Sequence, residues 1–181
     1  MRSALLRRCQ RVAQKHRDGH GADAARNRCH ETCHVEDRWI DVSDLAARYW
    51  QGALGNLDVL KDERTAPLAR LKAYFRRLND LGRKLKYRPG CMIGNLSVVM
   101  SDQSPAIRES LVNILGSWSR AIEACVKEAQ ADGSLRRDLD AKSMAAFMLN
   151  SWEGAVLRSK VDRSDAALVA FEKIVFGSLA K

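Results

Sequence analysis

From Ser43 to the end of the chain, apolar residues recur at intervals of three and four positions. No stretch there alternates apolar and polar residues in the way a half-buried strand does. This pattern predicts a fold built of helices alone. The predicted helices cover about 43–60, 65–85, 91–100, 104–133, 140–161 and 164–180.

The ends of these predicted helices are marked by residues that start or stop helices. Thr65 is expected to cap the second helix, with Pro67 in its first turn, and Ser104-Pro105 gives the same signal for the fourth. Gly133 is typical of a helix stop. The sequence therefore separates the helices by short loops, as expected for a helical bundle.

The amino-terminal stretch has a different composition. Residues 1–38 hold all four histidines and three of the five cysteines, with little apolar periodicity. The change places a boundary near Trp39 to Asp44, between an irregular segment, 1–42, and a helical domain, 43–181. The segment 29–34 contains cysteine and histidine residues of the kind that bind metal ions. Two cysteines spaced by three residues, with no second ligand pair, are nevertheless a weak signal. Neither a metal nor a cofactor is predicted.

Charge and cysteine usage limit the class of protein. Lys and Arg exceed Asp and Glu by 9, which favours binding to nucleic acid or another polyanion, although the excess is spread along the chain. The five cysteines form no disulfide framework, and neither a secretory leader nor an apolar run of about 20 residues is present. We expect a cytoplasmic protein with reduced thiols and no membrane partner.

Two segments place reactive or polar groups within apolar helices. They are Gly90–Leu96, which contains a thiol and an amide, and Leu149–Lys160, which contains an amide, an indole, a carboxylate and an amine. Such groups destabilise a helix bundle unless they face a partner or a cavity. The two segments therefore predict a shared sensing pocket. Its candidate residues are Cys91, Asn95, Met100, Trp118, Asn150, Trp152, Glu153 and Lys160.

These segments, G-C-M-I-G-N-L and N-S-W-E-G-A, resemble the carboxy-terminal half of TetR/AcrR-type transcriptional regulators, from about Trp39 to Lys181. The resemblance implies an all-α bundle of the TetR regulatory type. The helix-turn-helix expected before it is not recognisable, so 1–42 is interpreted as degenerate or, preferably, as translated from a shifted reading frame.

The resemblance implies roles for particular residues. In electrophile-responsive members of the family, the cysteine matching Cys91 is the sensor, and a lysine matching Lys160 lies close to it. The start of a helix and a nearby ammonium would both lower the pKa of the Cys91 thiol. The alternative is that Cys91 is a small buried apolar residue and Lys160 a solvated one.

By the same resemblance, the last two helices pair with their copies in a homodimer. The predicted interface residues are Phe147, Leu157, Leu168, Phe171 and Val175. The function implied is a repressor that binds operator DNA and releases it when a small molecule or an electrophile occupies the pocket. The alternative is a dimeric ligand-binding module without DNA-binding activity. An enzyme is not expected, because the helical domain has no histidine to serve as a base for Cys91.

Overall fold

The computed structural model describes residues 32–35 and 38–179. The predictions made for residues 1–31, including the first half of segment 29–34, lie outside the described residues. A short antiparallel hairpin comes first, with β1 (Thr32–Val35) paired to β2 (Arg38–Asp41). This hairpin was not predicted from the sequence. It leads directly into the first helix.

The rest of the described chain is helical, which confirms the predicted fold class. Its elements are α1 (Val42–Leu54), a 3-10 helix (Leu57–Lys61), α2 (Pro67–Lys84), α3 (Met92–Met100), α4 (Pro105–Ala131), α5 (Ala141–Asp162) and α6 (Ala166–Leu179). The long helix α4 lies at the centre, packed against α1, α2, α3 and α5, and α6 packs on α5 and α2. No helix of the described segments combines the length and the apolarity needed to cross a membrane.

The first predicted helix is interrupted. It was expected to run from Ser43 to Leu60, but α1 ends at Leu54 and a 3-10 helix begins at Leu57. Gly55 disfavours helix because of its backbone entropy. The next residue, Asn56, accepts a 2.9 Å hydrogen bond from Arg77 on α2. The break lets the 3-10 helix bury its own leucines against α2 and α4.

Helix capping follows the sequence signals with one exception. Ser104 Oγ accepts from the Ile107 amide at the start of α4, and Asp140 accepts from the Ser143 amide, 2.8 Å away, at the start of α5. Thr65 does not cap α2: its hydroxyl donates to Asp62 instead, 3.1 Å away, and the helix starts at Pro67 without a side-chain cap. The N-cap position is Ala66, which has no side-chain oxygen to accept from the helix amides.

A buried arginine joins three elements beside α4. Arg70 of α2 is only 3% exposed, donates to the Leu60 carbonyl at 2.8 Å and pairs with Glu128 of α4. Burial of a charge is tolerated when it is paired and hydrogen-bonded. Arg70 therefore fixes the 3-10 helix against α2 and α4, and this fixes one end of α1.

Candidate functional site

A cavity of about 580 Å³ lies between α1, α2, the α2–α3 loop, α4 and α5. This volume is within the range of small-molecule sites, and most of the wall is apolar. The aromatic side chains that line it are Tyr49, Trp50, Tyr74, Tyr87, Trp118 and Trp152, and the uncharged polar ones are Asn56, Asn79, Cys91, Asn95 and Ser159. The site is thus an aromatic pocket with a few polar groups.

Two tryptophans of the wall are held by hydrogen bonds to neighbouring helices. Trp118 Nε1 donates to the Tyr74 hydroxyl, and Trp152 Nε1 donates to Asn79 Oδ1 at 2.8 Å. The Trp118 ring also lies 5.6 Å from the Trp152 ring, edge to face. Because both indole N–H groups are satisfied within the protein, the rings present mainly apolar surface to the cavity.

The second of these bonds continues to the last helix. Asn79 Nδ2 donates to Glu172 Oε1 of α6 at 2.6 Å. Asn79 is 4% exposed, so its amide is bonded on both sides within the protein. A chain of hydrogen bonds therefore links the cavity wall on α5 to α2 and α6.

Cys91 is the N-cap residue of α3, and the pKa of its thiol is not lowered. Burial raises the pKa of this thiol to about 12, and the nearby charge of Glu153, which is hydrogen-bonded to it, adds to the effect. The amides of Gly94 and Ile93, at the start of α3, act in the opposite direction but more weakly. Burial also raises the pKa of the Glu153 carboxyl. The expected lowering of the Cys91 pKa was wrong, because desolvation outweighs the helix N-terminus.

Lys160 contacts an amide at this end of the cavity. Its Nζ donates to Asn95 Oδ1 at 3.1 Å, and Asn95 Nδ2 donates to the Pro89 carbonyl at 2.9 Å. The aliphatic stem of Lys160 passes Gly90, where a Cβ atom would lie 3.1 Å from Lys160 Cδ. The ammonium group therefore holds the α2–α3 loop to α5.

The predicted pocket residues divide into three groups. Cys91, Asn95, Trp118 and Trp152 line the cavity, and Glu153 and Lys160 contact lining residues. Asn150 and Met100 are not brought to the cavity: Asn150 is exposed and Met100 is buried at the far end of α3. Asn150 precedes Trp152 by two positions, which turns it to the opposite side of α5.

Several lining residues were not predicted. Asn79 could have been found from the sequence, because it is an amide four positions after Phe75 on an otherwise apolar stripe. Ser159 follows Trp152 by seven positions, which places both on one side of α5. Tyr49 and Tyr74 were not singled out from the sequence. The pKa values of both tyrosines are raised, chiefly by burial.

The residues predicted for a dimer interface fall into an exposed group and a buried group. Phe147 and Leu157 are each 57% exposed on α5. Leu168, Phe171 and Val175 are buried within the protomer, and the Phe171 ring lies 5.1 Å from the Phe75 ring. These three belong to the core and were wrongly assigned. Other large apolar residues exposed on α5 and α6 are Val161, Val169 and Ile174.

An all-helical domain with an aromatic cavity between its helices has the architecture of a helical ligand-binding domain. Residues 67–175 match the family model described as "Tetracyclin repressor-like, C-terminal domain". This match covers more than half of the chain. The chain therefore belongs to the TetR-type family of transcriptional regulators, which confirms the resemblance seen in its sequence.

Two relatives and one solved structure extend the comparison. The chain is 37% identical over 120 residues to the HTH-type transcriptional repressor DhaR of Mycobacterium sp. strain GP1, covering 66% of this chain and 59% of that protein. It is 34% identical over 112 residues to the transcriptional regulator AcuR of Cereibacter sphaeroides, covering 62% and 51%. The chain thus spans little more than half the length of these relatives.

The solved structure is a regulatory protein TetR from Rhodobacter sphaeroides. It superposes with a TM-score of 0.73 at 30% identity, covering 76% of this chain and 74% of that one. The relatives are regulators of transcription and not enzymes, in agreement with the prediction from the sequence.

Proposed function

We propose that this chain is a transcriptional repressor that releases operator DNA when a small molecule enters the 580 Å³ cavity. The observation that carries the proposal is that α1 and α5 both line this cavity. Helix α1 follows the amino-terminal region, where the DNA-binding domain of the family is expected, and α5 carries exposed apolar residues suited to a dimer partner. A ligand between α1 and α5 would contact both the helix that follows the DNA-binding region and the helix that carries the proposed dimer surface.

The dimer is proposed to form through the exposed apolar faces of α5 and α6. Phe147, Leu157 and Val161 supply the α5 part, and Val169 and Ile174 supply the α6 part, each more than half exposed. Exposed apolar residues clustered on two neighbouring helices favour a protein partner over solvent. A twofold bundle of these helices would place two DNA-binding domains at a fixed spacing. A ligand that prefers a different spacing would weaken operator binding.

Non-covalent binding is proposed as the inducing event. A thiol with a pKa of about 12 is almost entirely protonated near neutral pH and is a poor nucleophile. Electrophile sensing at Cys91 remains the second candidate, because Cys91 lines the cavity and an electrophile held there would be close to it. Cys91→Ser separates the two. Loss of the response to quinones, aldehydes or maleimides would favour the covalent mechanism, and an unchanged response would leave the non-covalent one.

The test of the whole proposal is a binding titration of the full chain on DNA from beside its own gene. Tight, salt-sensitive and sequence-selective binding is expected, since a repressor reads both phosphates and bases. Weak binding without sequence selectivity would support the competing function, a dimeric ligand-binding module that does not bind an operator. The titration is repeated with candidate ligands to measure release.

A further inference from the structure

The hydroxyl group of Ser159 is buried in the wall of the cavity without a hydrogen-bond partner. Ser159 of α5 is 2% exposed, and within the part of the chain that the structure describes, its Oγ meets no donor or acceptor. It lines the cavity together with Trp152 and Val156 of the same helix. A buried hydroxyl left unpaired destabilises the protein, so it is a natural point of contact for a ligand.

Two serines, one within α3 and one at its C-cap, are satisfied locally. Ser97 Oγ donates to the Ile93 carbonyl at 2.9 Å, and Ser101 Oγ donates to the Ser97 carbonyl at 2.6 Å, each four residues back along the helix. This is the usual arrangement for a helical serine. Ser159 has Ala155 four residues before it but does not make the bond. Its hydroxyl is therefore without a hydrogen-bond partner among the described residues.

The charges around the cavity indicate what that group can be. Among the described residues that line it, only Arg48 carries a permanent charge, and its side chain is exposed at the rim. The ammonium of Lys160 and the carboxyl of Glu153 lie next to lining residues but do not themselves line the cavity. An ion moved from water into a mainly apolar cavity needs a counter-ion to offset its lost hydration. The cavity walls supply none in their interior.

We propose that the cavity selects an uncharged, largely apolar molecule carrying one hydroxyl or carbonyl group, and that Ser159 Oγ is the hydrogen-bonding partner of that group. The tryptophan and tyrosine rings favour a flat or aromatic body. The inference rests on the proposed function only in taking the cavity as the ligand site. It is tested by binding alone, without DNA.

The experiment is calorimetric titration of the full chain with four probes that share one ring system: methylnaphthalene, naphthylmethanol, naphthoate and naphthylmethylammonium. Each is titrated into the wild-type chain, Ser159→Ala and the control Ser151→Ala. Ser151 is on the same helix but does not line the cavity. Circular dichroism and the thermal midpoint establish that both variants fold.

Ser159→Ala is expected to weaken the binding of naphthylmethanol by about twofold to tenfold, the range that a neutral hydrogen bond contributes. The affinity for methylnaphthalene is expected to change by less than about twofold in the same variant. Ser151→Ala should leave the affinity for both probes unchanged. The two charged probes are expected to bind the wild-type chain at least about tenfold more weakly than the alcohol.

Three results would overturn the inference. An equal change for the alcohol and the hydrocarbon would show that Ser159 acts only through packing. Preferential binding of the ammonium probe would point to Glu153 as the recognition group, and preferential binding of naphthoate would point to Arg48. Failure of both neutral probes to bind would remove the assignment of an apolar ligand. Selective binding without any effect on DNA would instead contradict the proposed repressor function alone.

Discussion

Gly94 of α3 lies directly against the carboxyl group of Glu153 on α5: a Cβ atom at position 94 would be 2.5 Å from Glu153 Oε2. No carbon and oxygen atoms approach so closely without a covalent bond, so a side chain here must displace the carboxyl. Glu153 is in turn hydrogen-bonded to Cys91. The absence of a side chain at Gly94 thus sets the distance between α3 and α5 beside the cavity.

Gly94→Ala is therefore expected to destabilise the protein, in spite of the better helix propensity of alanine. Overpacking of this kind lowers the free energy of unfolding by about 1–3 kcal/mol, and the alanine preference offsets up to about 1 kcal/mol. Urea unfolding of the wild type and the variant measures the difference. Gly154→Ala is the matched control, because its Cβ would meet nothing within 4 Å.

A double-mutant cycle assigns the effect to Glu153. If the clash is with its carboxyl group, Gly94→Ala should be much less destabilising in a Glu153→Ala background than in the wild type. Additive effects of the two substitutions would mean that another neighbour opposes the new methyl group.

The Cys91 thiol is predicted to react slowly in the native protein. With its pKa raised to about 12, alkylation by iodoacetamide at pH 8 should be more than about a hundredfold slower than in the unfolded chain. Glu153→Gln removes a charge that raises the pKa, so the reaction should accelerate. Peptide mapping by mass spectrometry separates Cys91 from the other cysteines. Rapid modification of native Cys91 would revive the electrophile-sensing mechanism.

The fold was largely predictable from the sequence because its helices end at residues with known local effects. Ser104 and Gly133 act where they were expected to, and Asp140 caps α5. The break after Leu54 was not foreseen, since a single glycine inside an apolar stripe does not normally end a helix. A tertiary contact accompanies the break, the hydrogen bond from Arg77 to Asn56.

The candidate site was predictable only in part. A polar group on an apolar stripe indicates a special environment, and this pointed to Cys91 and Trp152. It does not say which side of the helix faces the cavity, so Asn150 was included although it is exposed. Nor does an apolar stripe distinguish the protomer's own core from a partner surface, and Phe171 was misassigned for this reason. Ser159 gave no signal beyond its seven-residue spacing from Trp152, because serine is common in helices.

Stability is predicted to fall in alkaline solution, partly through Cys91. The ordinary pKa of 9.0 applies to the unfolded chain, whereas burial raises the folded value to about 12. Between these values the unfolded chain loses the proton and the native protein keeps it. The contribution of the Cys91 thiol to the free energy of unfolding is therefore complete below pH 9. Above pH 9 it declines by at most about 1.4 kcal/mol per pH unit.

Cys91→Ala should flatten this dependence. Urea unfolding of the wild type and the variant at pH 8, 9, 10 and 11 gives the two slopes, and their difference isolates the contribution of the thiol. Parallel slopes would contradict the raised pKa of Cys91.

A charge placed on the exposed side of α6 is predicted to disrupt the proposed dimer, whereas an equally exposed charge outside the proposed face is not. Ile174→Asp is expected to shift the protein towards monomer without unfolding it, because Ile174 is 63% exposed in the protomer. Val112→Asp is the matched control: Val112 is 64% exposed but lies on α4, outside the proposed face. Sedimentation equilibrium measures both. A dimer that survives Ile174→Asp but dissociates with Val112→Asp would place the interface elsewhere. Phe171→Asp should unfold the protomer, since its ring is in the core.

The α2–α3 loop is predicted to be held over the cavity by Asn95. Lys86, Tyr87 and Gly90 all have positive φ angles, 53°, 56° and 68°, so the loop has a conformation that two of these residues disfavour. Tyr87 and Gly90 also line the cavity. Asn95 bonds the loop through the Pro89 carbonyl, and Lys160 bonds Asn95.

Asn95→Leu removes both bonds and should accelerate amide hydrogen exchange across residues 85–91, with a loss of about 1 kcal/mol in the free energy of unfolding. Asn95→Asp separates the two contacts, because a carboxylate still accepts from Lys160 but cannot donate to the Pro89 carbonyl. Faster exchange in both variants would assign the restraint to the Pro89 bond, and faster exchange in the leucine variant alone would assign it to Lys160. Unchanged exchange in both would mean that the 3.1 Å bond from Arg163 Nη1 to the Tyr87 carbonyl is sufficient to hold the loop. Arg163, at the end of α5, would then be the residue that holds the loop over the cavity.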